Sequence, residues 1–233
     1  MSNVGDYIHK EHPKTCAPDD FWSQVKRTVN GKPVGEDQIA LIVAAILDGL
    51  KIEQGDTLLD LCCGNGALSD RIFARCQGGL GVDFSEPLIA VAQKYFQAPP
   101  ARVYKLQDAE SFLQATDDTA RFTKALCYGA FQYLPQAMAE NVLGLLHERM
   151  PQVSRFFIGN LPDKAKMGDF LKKRSDAAMD ENDAGTAIGI WRTEEEFTAL
   201  ARSGGWNAEF RRMPKQFYAA EYRYDAVLTR GAR

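Results

Sequence analysis

The sequence predicts an α/β fold: a largely parallel sheet covered by helices on both faces, with an antiparallel strand near the end. Three observations carry this. From Glu36 onward, short apolar runs alternate with amphipathic segments, which is the pattern of strand–helix–strand units. The apolar runs are continuous rather than alternating, as in strands buried on both faces. A two-glycine turn, Gly64-Asn65-Gly66, joins the first strand directly to the next helix.

Residues 1–35 read as an ordered arm or cap and 36–233 as the main domain. The arm is polar and broken by Pro13, Pro18 and Pro33, yet it holds Tyr7, Phe21 and Trp22, more aromatic surface than a disordered tail carries. Ile39, Ile42, Val43, Ile46 and Leu50 recur at helical spacing over Glu36–Leu50. Strands are expected at Thr57–Leu61, Leu80–Asp83, Arg102–Leu106, Phe122–Cys127 and Phe156–Gly159. Helices between them are marked by Leu68, Ile72 and Cys76, by Leu88 to Phe96 with Ser85 as N-cap, and by Met138 to Leu146. Asn160-Leu161-Pro162 reads as a turn after the fifth strand. Thr193-x-x-Glu196 is a capping box opening a helix through Phe197, Leu200 and Ala201. Two strands, about 207–213 and 223–230, follow. The acidic, weakly patterned stretch 175–189 reads as a lid loop.

Lys plus Arg number 28 against 31 Asp plus Glu, a net charge of −3. That balance argues against a nucleic-acid partner, whose phosphates are usually met by a basic excess. The chain has no run approaching the ~18–20 apolar residues of a membrane span and no signal-peptide core at its polar start. Its five cysteines are an odd number in no disulfide framework, so free thiols and a cytoplasmic location are expected. The oligomeric state is not legible.

Chemistry concentrates in Leu58-Leu59-Asp60-Leu61-Cys62-Cys63-Gly64-Asn65-Gly66-Ala67-Leu68. A strand running through glycines into a helix exposes backbone N–H groups and lets a ligand approach the main chain. Seventeen residues past Gly66, Asp83 ends the second strand, where a carboxylate can accept both hydroxyls of a ribose. After the third strand, Gln107-Asp108-Ala109 is placed to touch an adenine edge.

In this order the segments resemble three motifs of class I S-adenosylmethionine-dependent methyltransferases. Asp60 to Gly66 is similar to the first, Gly81-Val82-Asp83-Phe84-Ser85 to the second and Gln107-Asp108-Ala109 to the third. The resemblance covers roughly residues 36–230. It implies a Rossmann-like, seven-stranded sheet whose last strand is antiparallel, and S-adenosyl-L-methionine as cofactor, with S-adenosyl-L-homocysteine as product. It further implies that the Cys62–Gly66 turn passes the methionine part, Asp83 holds the ribose, and Asp108 with Ala109 faces the adenine. Asp60, Phe84, Ser85, Gln107 and Cys127 join the cofactor set. One departure is that Cys62 stands where the family has its first glycine. Vicinal Cys62-Cys63 reads as small-residue packing or, as the rarer alternative, thiol chemistry. A nicotinamide enzyme of similar architecture would want a further glycine or alanine at Ser69.

The acceptor side follows strand four. Leu126-Cys127-Tyr128-Gly129-Ala130-Phe131-Gln132-Tyr133-Leu134 lacks the Asn/Asp-Pro-Pro-Tyr sequence of base-amino methylation and the aspartate of Mg²⁺-dependent catechol methylation, so no metal site is expected. It offers Tyr128 and Tyr133 toward a pocket, a pattern resembling enzymes that methylate small molecules, with oxygen as the expected atom. Enzymes acting on RNA or protein, and a non-catalytic cofactor-binding protein, are the alternatives. His9 and His12 lie in the arm at a spacing that puts both on one side of a helical turn; they read as candidate bases or as solvated tail residues. Trp22, Arg27 and Thr28, in Phe21–Gly31, read as partners for the cofactor carboxylate or as an amphipathic turn. Arg211, Arg212, Lys215, Tyr218, Tyr222 and Arg223 read as recognition of an anionic acceptor or as the solvated face of a hairpin.

Overall fold

The computed structural model describes residues 7–172 and 180–231; the part of the expected lid at 175–179 lies outside them. The arm holds short helical turns at Tyr7–Glu11, His12–Thr15 and Phe21–Gln24, then a two-stranded ribbon, Thr28–Val29 with Lys32–Pro33. The main domain runs α1 (Glu36–Leu50), β1 (Leu58–Leu61), α2 (Ala67–Phe73), β2 (Gly79–Asp83), α3 (Glu86–Tyr95), β3 (Arg102–Leu106), α4 (Ala109–Ala115) and β4 (Lys124–Tyr128). It continues through α5 (Gln136–Arg149), β5 (Arg155–Pro162), α6 (Glu194–Ser203), β6 (Trp206–Arg211) and β7 (Arg223–Arg230).

The seven strands form one sheet in the order β3-β2-β1-β4-β5-β7-β6. β1 to β5 are mutually parallel, and β7 inserts antiparallel between β5 and β6. The chain therefore winds outward in one direction from β1 to β3 and in the other from β4. That reversal opens a crevice at the carboxyl ends of β1 and β4, the place where ligands bind in open α/β sheets.

Burial follows the sequence pattern. Ile39, Ile42, Ile46 and Leu50 of α1 are fully buried and share a layer with Leu68 and Ile72 of α2 and Ile89 of α3. Phe112, Leu143, Leu146, Phe197 and Leu200 cover the opposite face. Successive residues of β1 alternate between the layers, Leu58 to the first and Leu59 to the second. Trp22 joins the α1 layer, so the arm is part of the fold rather than an appendage.

Three expectations need adjustment. The fourth strand pairs from Lys124 rather than Phe122; Phe122 is fully buried core just before it, so apolarity ran ahead of pairing. Asn160-Leu161-Pro162 is not a turn but the end of β5, where the pairing with β7 shifts between Ile158 and Leu161 and Asn160 takes φ +65°. Ser85 occupies the N-cap position of α3 without capping it; its hydroxyl donates to the carbonyl of His9 instead. The Thr193/Glu196 capping box forms as expected.

Candidate functional site

The turn after β1 puts three left-handed residues within five positions: Cys62 at φ +61°, Gly64 at +59° and Gly66 at +76°. Only glycine takes that region freely, so Cys62 is a strained substitute. Its thiol lies against Cys127 at the end of β4, and that contact together with burial pushes it well above the ordinary thiol range. Cys63 turns away from the crevice: a side chain at Gly81 would meet its sulfur at 2.8 Å, so it packs onto β2. At Gly66 a Cβ would meet the Tyr104 ring at 2.8 Å.

Asp83 is buried at the end of β2. One carboxylate oxygen accepts the Gly64 N–H and the other the Ser85 N–H, each at 2.8 Å, which locks the glycine turn to β2. Burial outweighs the bonds from the Ser85, Gly64 and Phe84 backbone and raises the carboxyl to about 6. Asp60, also buried, accepts the Ser69 hydroxyl at 2.5 Å. Burial raises it to about 7, opposed by that bond and by the Arg27 charge. Ser69, which the sequence marked only as a missing glycine, thus supports the first motif from α2.

Asn65 does not face the crevice. Its amide donates to Phe21 O at 2.7 Å and to Gln24 Oε1 at 2.8 Å, fastening the arm to the glycine turn. Trp22 donates to Glu36, and the Arg27 guanidinium lies 5.5 Å from the Trp22 ring and 5.0 Å from that of Tyr128. Thr28 lines a cleft of about 560 Å³ with Lys166, Phe170, Tyr218 and Tyr222. Toward the other end, the Gln107 N–H bonds Asp83 O, while its side-chain oxygen is buried without a partner. Asp108 caps α4 by accepting the Ser111 N–H, and Ala109 is buried beside it. Phe84 is 42% exposed despite its position at a strand end.

The two arm histidines go to different neighbours, so they are not the paired face their spacing predicts. The change from a π-helical turn to an α-helical one at His12 rotates them apart. The His9 ring stands edge-on to Tyr133 at 5.0 Å and to Phe84 at 5.7 Å, over the crevice. His12 Nε2 is held within the arm, 2.9 Å from Ser23 O and 3.6 Å from the Cys16 sulfur. Tyr133 donates to Ala187 O at 2.8 Å, tying the described part of the 175–189 stretch to the same corner. The Tyr128 hydroxyl is buried with no partner, and burial holds it far above its usual range. His147 stands edge-on to Trp206 at 5.3 Å, packing against it.

The decisive arrangement is the order of parts: glycine turn after β1, buried carboxylate ending β2, amide and cap after β3, on a 3-2-1-4-5-7-6 sheet. This is a class I S-adenosylmethionine-dependent methyltransferase fold. A family model described as a methyltransferase domain matches residues 58–150. The chain is 32% identical over 96 residues to a ubiquinone biosynthesis O-methyltransferase of Coxiella burnetii, a stretch covering 40% of each protein. Magnesium protoporphyrin IX methyltransferase from Synechocystis PCC 6803, solved with bound S-adenosylhomocysteine, superposes with a TM-score of 0.64 at 16% identity over 98% of both chains. The Burkholderia thailandensis 1,6-didemethyltoxoflavin-N1-methyltransferase, with its substrate and S-adenosylhomocysteine bound, gives 0.61 at 18% identity, covering 84% of this chain and 80% of that one. At those identities the likeness is one of fold.

Gln132, Asn160 and Trp191 each keep a buried side-chain polar atom without a partner near the ends of β4 and β5, and nothing local in the sequence marks Gln132 or Trp191. For Asn160 a signal existed: asparagine is among the few residues that tolerate φ > 0.

Proposed function

We propose that this chain transfers a methyl group from S-adenosylmethionine to a small-molecule acceptor, at oxygen and without a metal ion. The observation that carries the reading is the buried Asp83 carboxylate, clamped by the Gly64 and Ser85 N–H groups where a ribose would lie. Each of its oxygens keeps a lone pair for a hydroxyl. The residues fit the nucleoside elsewhere too. The orphaned Gln107 oxygen suits an amino-group donor, the free oxygen of Asp108 a second, and the exposed Phe84 ring a planar base. Arg27, stacked between Trp22 and Tyr128, is the cation for a carboxylate beside the glycine turn, with Thr28 next to it.

When bound, the cofactor supplies a methyl group on a positively charged sulfur. The chain's own task is to align the acceptor in line with that methyl, exclude water and take up one proton. The Asn65, Ser85 and Trp22 bonds fasten the arm to the main domain beside the crevice. His9, with Tyr133 against its ring, is the base proposed to accept the acceptor hydroxyl proton as the new carbon–oxygen bond forms. Tyr128 orients the acceptor from below. His12 is a structural member of the arm.

Transfer of labelled methyl groups from S-adenosylmethionine to a panel of hydroxylated small molecules tests this reading. Acceptor-dependent label in an ether or ester product supports it. Label appearing only in added RNA or protein, or none at all, contradicts it.

A further inference from the structure

The basic stretch late in the sequence separates into two kinds of arginine. Arg211 pairs with Asp48 and Glu209, and Arg212 with Asp163 and Glu194. Both are consumed by the hairpin and its neighbours. Arg223 is different. It is only 7% exposed, and among the described residues no carboxylate pairs with it. One of its terminal nitrogens donates to Asn160 O at 2.6 Å, and its guanidinium faces the Tyr222 ring at 5.0 Å. Its Nε is buried with no partner. A buried guanidinium without a counter-ion is costly and normally paired.

What surrounds Arg223 indicates what is missing. It sits at the carboxyl end of the sheet, where β5 and β7 pair Pro162 with Arg223. Arg223 and Tyr128 adjoin consecutive residues of β5: Arg223 bonds Asn160 O, and the Tyr128 ring packs against Gly159, while the nearby Asp225 carboxylate is held by the Asn160 N–H. The Tyr128 hydroxyl is a second buried donor without an acceptor, and Tyr222, whose ring faces the Arg223 guanidinium, lines the cleft of about 560 Å³ together with Tyr218, Lys166, Asp169 and Glu221. Two unsatisfied donors, one of them charged, make an anion site of the kind a guanidinium serves best. Arg27, the other guanidinium of this region, lies over the Tyr128 ring at 5.0 Å and also faces Asp60. In the reading above it serves the cofactor carboxylate, and Arg223, bonded to Asn160 O at the end of β5, is the guanidinium left for the acceptor.

We propose that Arg223, together with the Tyr128 hydroxyl, binds a carboxylate of the acceptor, so that the substrates are small carboxylic acids. This rests on the methyl-transfer reading above and narrows it.

The test uses the full chain saturated with S-adenosylhomocysteine and titrated calorimetrically with benzoate, its neutral analogue benzamide, and phenyl phosphate. Arg223→Met keeps the apolar stem and removes the charge; Tyr128→Phe removes the second donor alone and serves if the first variant does not fold. Benzoate is expected to bind the wild-type protein, at least about tenfold more weakly in Arg223→Met and measurably more weakly in Tyr128→Phe. Benzamide is expected not to bind, and S-adenosylhomocysteine affinity to be unchanged in both variants. Absent benzoate binding, equal binding of benzamide, or benzoate affinity indifferent to both substitutions overturns the proposal. Preference for phenyl phosphate over benzoate overturns the carboxylate assignment. Loss of S-adenosylhomocysteine affinity in Arg223→Met with benzoate unaffected would assign Arg223 to the cofactor's own carboxylate and equally overturn it. If the wild-type protein binds benzoate through Arg223 but does not bind S-adenosylhomocysteine, the methyl-transfer reading fails while the anion site stands.

Discussion

Replacing Asp83 by asparagine should separate stability from cofactor binding. The carboxyl sits at about 6 against 3.8 for an ordinary aspartate, so keeping it charged at neutral pH costs about 3 kcal/mol at 1.36 kcal/mol per pKa unit. The amide has no such cost. It gives up one of the two backbone N–H bonds, since its NH₂ must face either Gly64 or Ser85, a loss of about 1–3 kcal/mol. The two nearly cancel. The melting temperature should stay within a few degrees of wild type, because 1 kcal/mol shifts a domain of this size by about 2–4 °C. Binding has no such offset: each hydroxyl loses a charge-assisted bond of about 1.5–3 kcal/mol, or about 10- to 150-fold in affinity. Calorimetry with S-adenosylhomocysteine alongside thermal unfolding measures both. A melting temperature lowered by more than about 10 °C with affinity intact would refute the reasoning, because Asp83 would then be a structural clamp.

Other perturbations probe separate parts of the site. His9→Ala should lower kcat by about 10²–10⁴-fold while leaving S-adenosylhomocysteine affinity nearly unchanged; full activity would move the base elsewhere. Gly66→Ala combines φ +76° with a 2.8 Å approach to the Tyr104 ring, and should cost about 1–3 kcal/mol of stability, visible in urea unfolding. Turnover should be indifferent to EDTA, because Cys127-Tyr128-Gly129, at and just past the end of β4, brings no carboxylate, and the Asp225 carboxylate nearby is engaged by the Asn160 N–H. A Mg²⁺-reversible loss of turnover would contradict this.

The fold was legible because its determinants are local. The α1 stripe, the buried strand runs and the Thr193 capping box each follow from periodicity or spacing within about fifteen residues. The glycine turn and Asp83 were legible for the same reason. What stayed hidden depends on contacts between distant segments. Nothing near Asn65 in sequence says that its amide holds Phe21 and Gln24, or that the Ser85 hydroxyl reaches back to His9 rather than capping its helix. The His9/His12 spacing misled because it assumes a regular α-helix, whereas the arm passes through a π-helical turn. Composition likewise could not sort Arg223 from Arg211 and Arg212, since the sorting is done by which acids the fold brings beside each.

The central claim, that Asp83 in its ionised form holds the cofactor, is tested most directly by the pH dependence of S-adenosylhomocysteine affinity. Ribose hydroxyls donate to the carboxylate, so binding favours the charged form and weakens as pH falls through about 6. Uptake of a single proton makes affinity at pH 5 about tenfold lower than at pH 7. The stability sign is opposite. A carboxyl raised from 3.8 to about 6 destabilises the folded protein above that value, and the cost is relieved as pH drops toward 4. Acid in this window therefore does not unfold the protein through Asp83, and lost affinity is not lost fold. Calorimetric titration at pH 5, 6 and 7 should show one-to-one binding with about a tenfold decline toward acid that Asp83→Asn abolishes. No binding, or equal affinity of the wild-type protein at pH 5 and 7, would contradict the account.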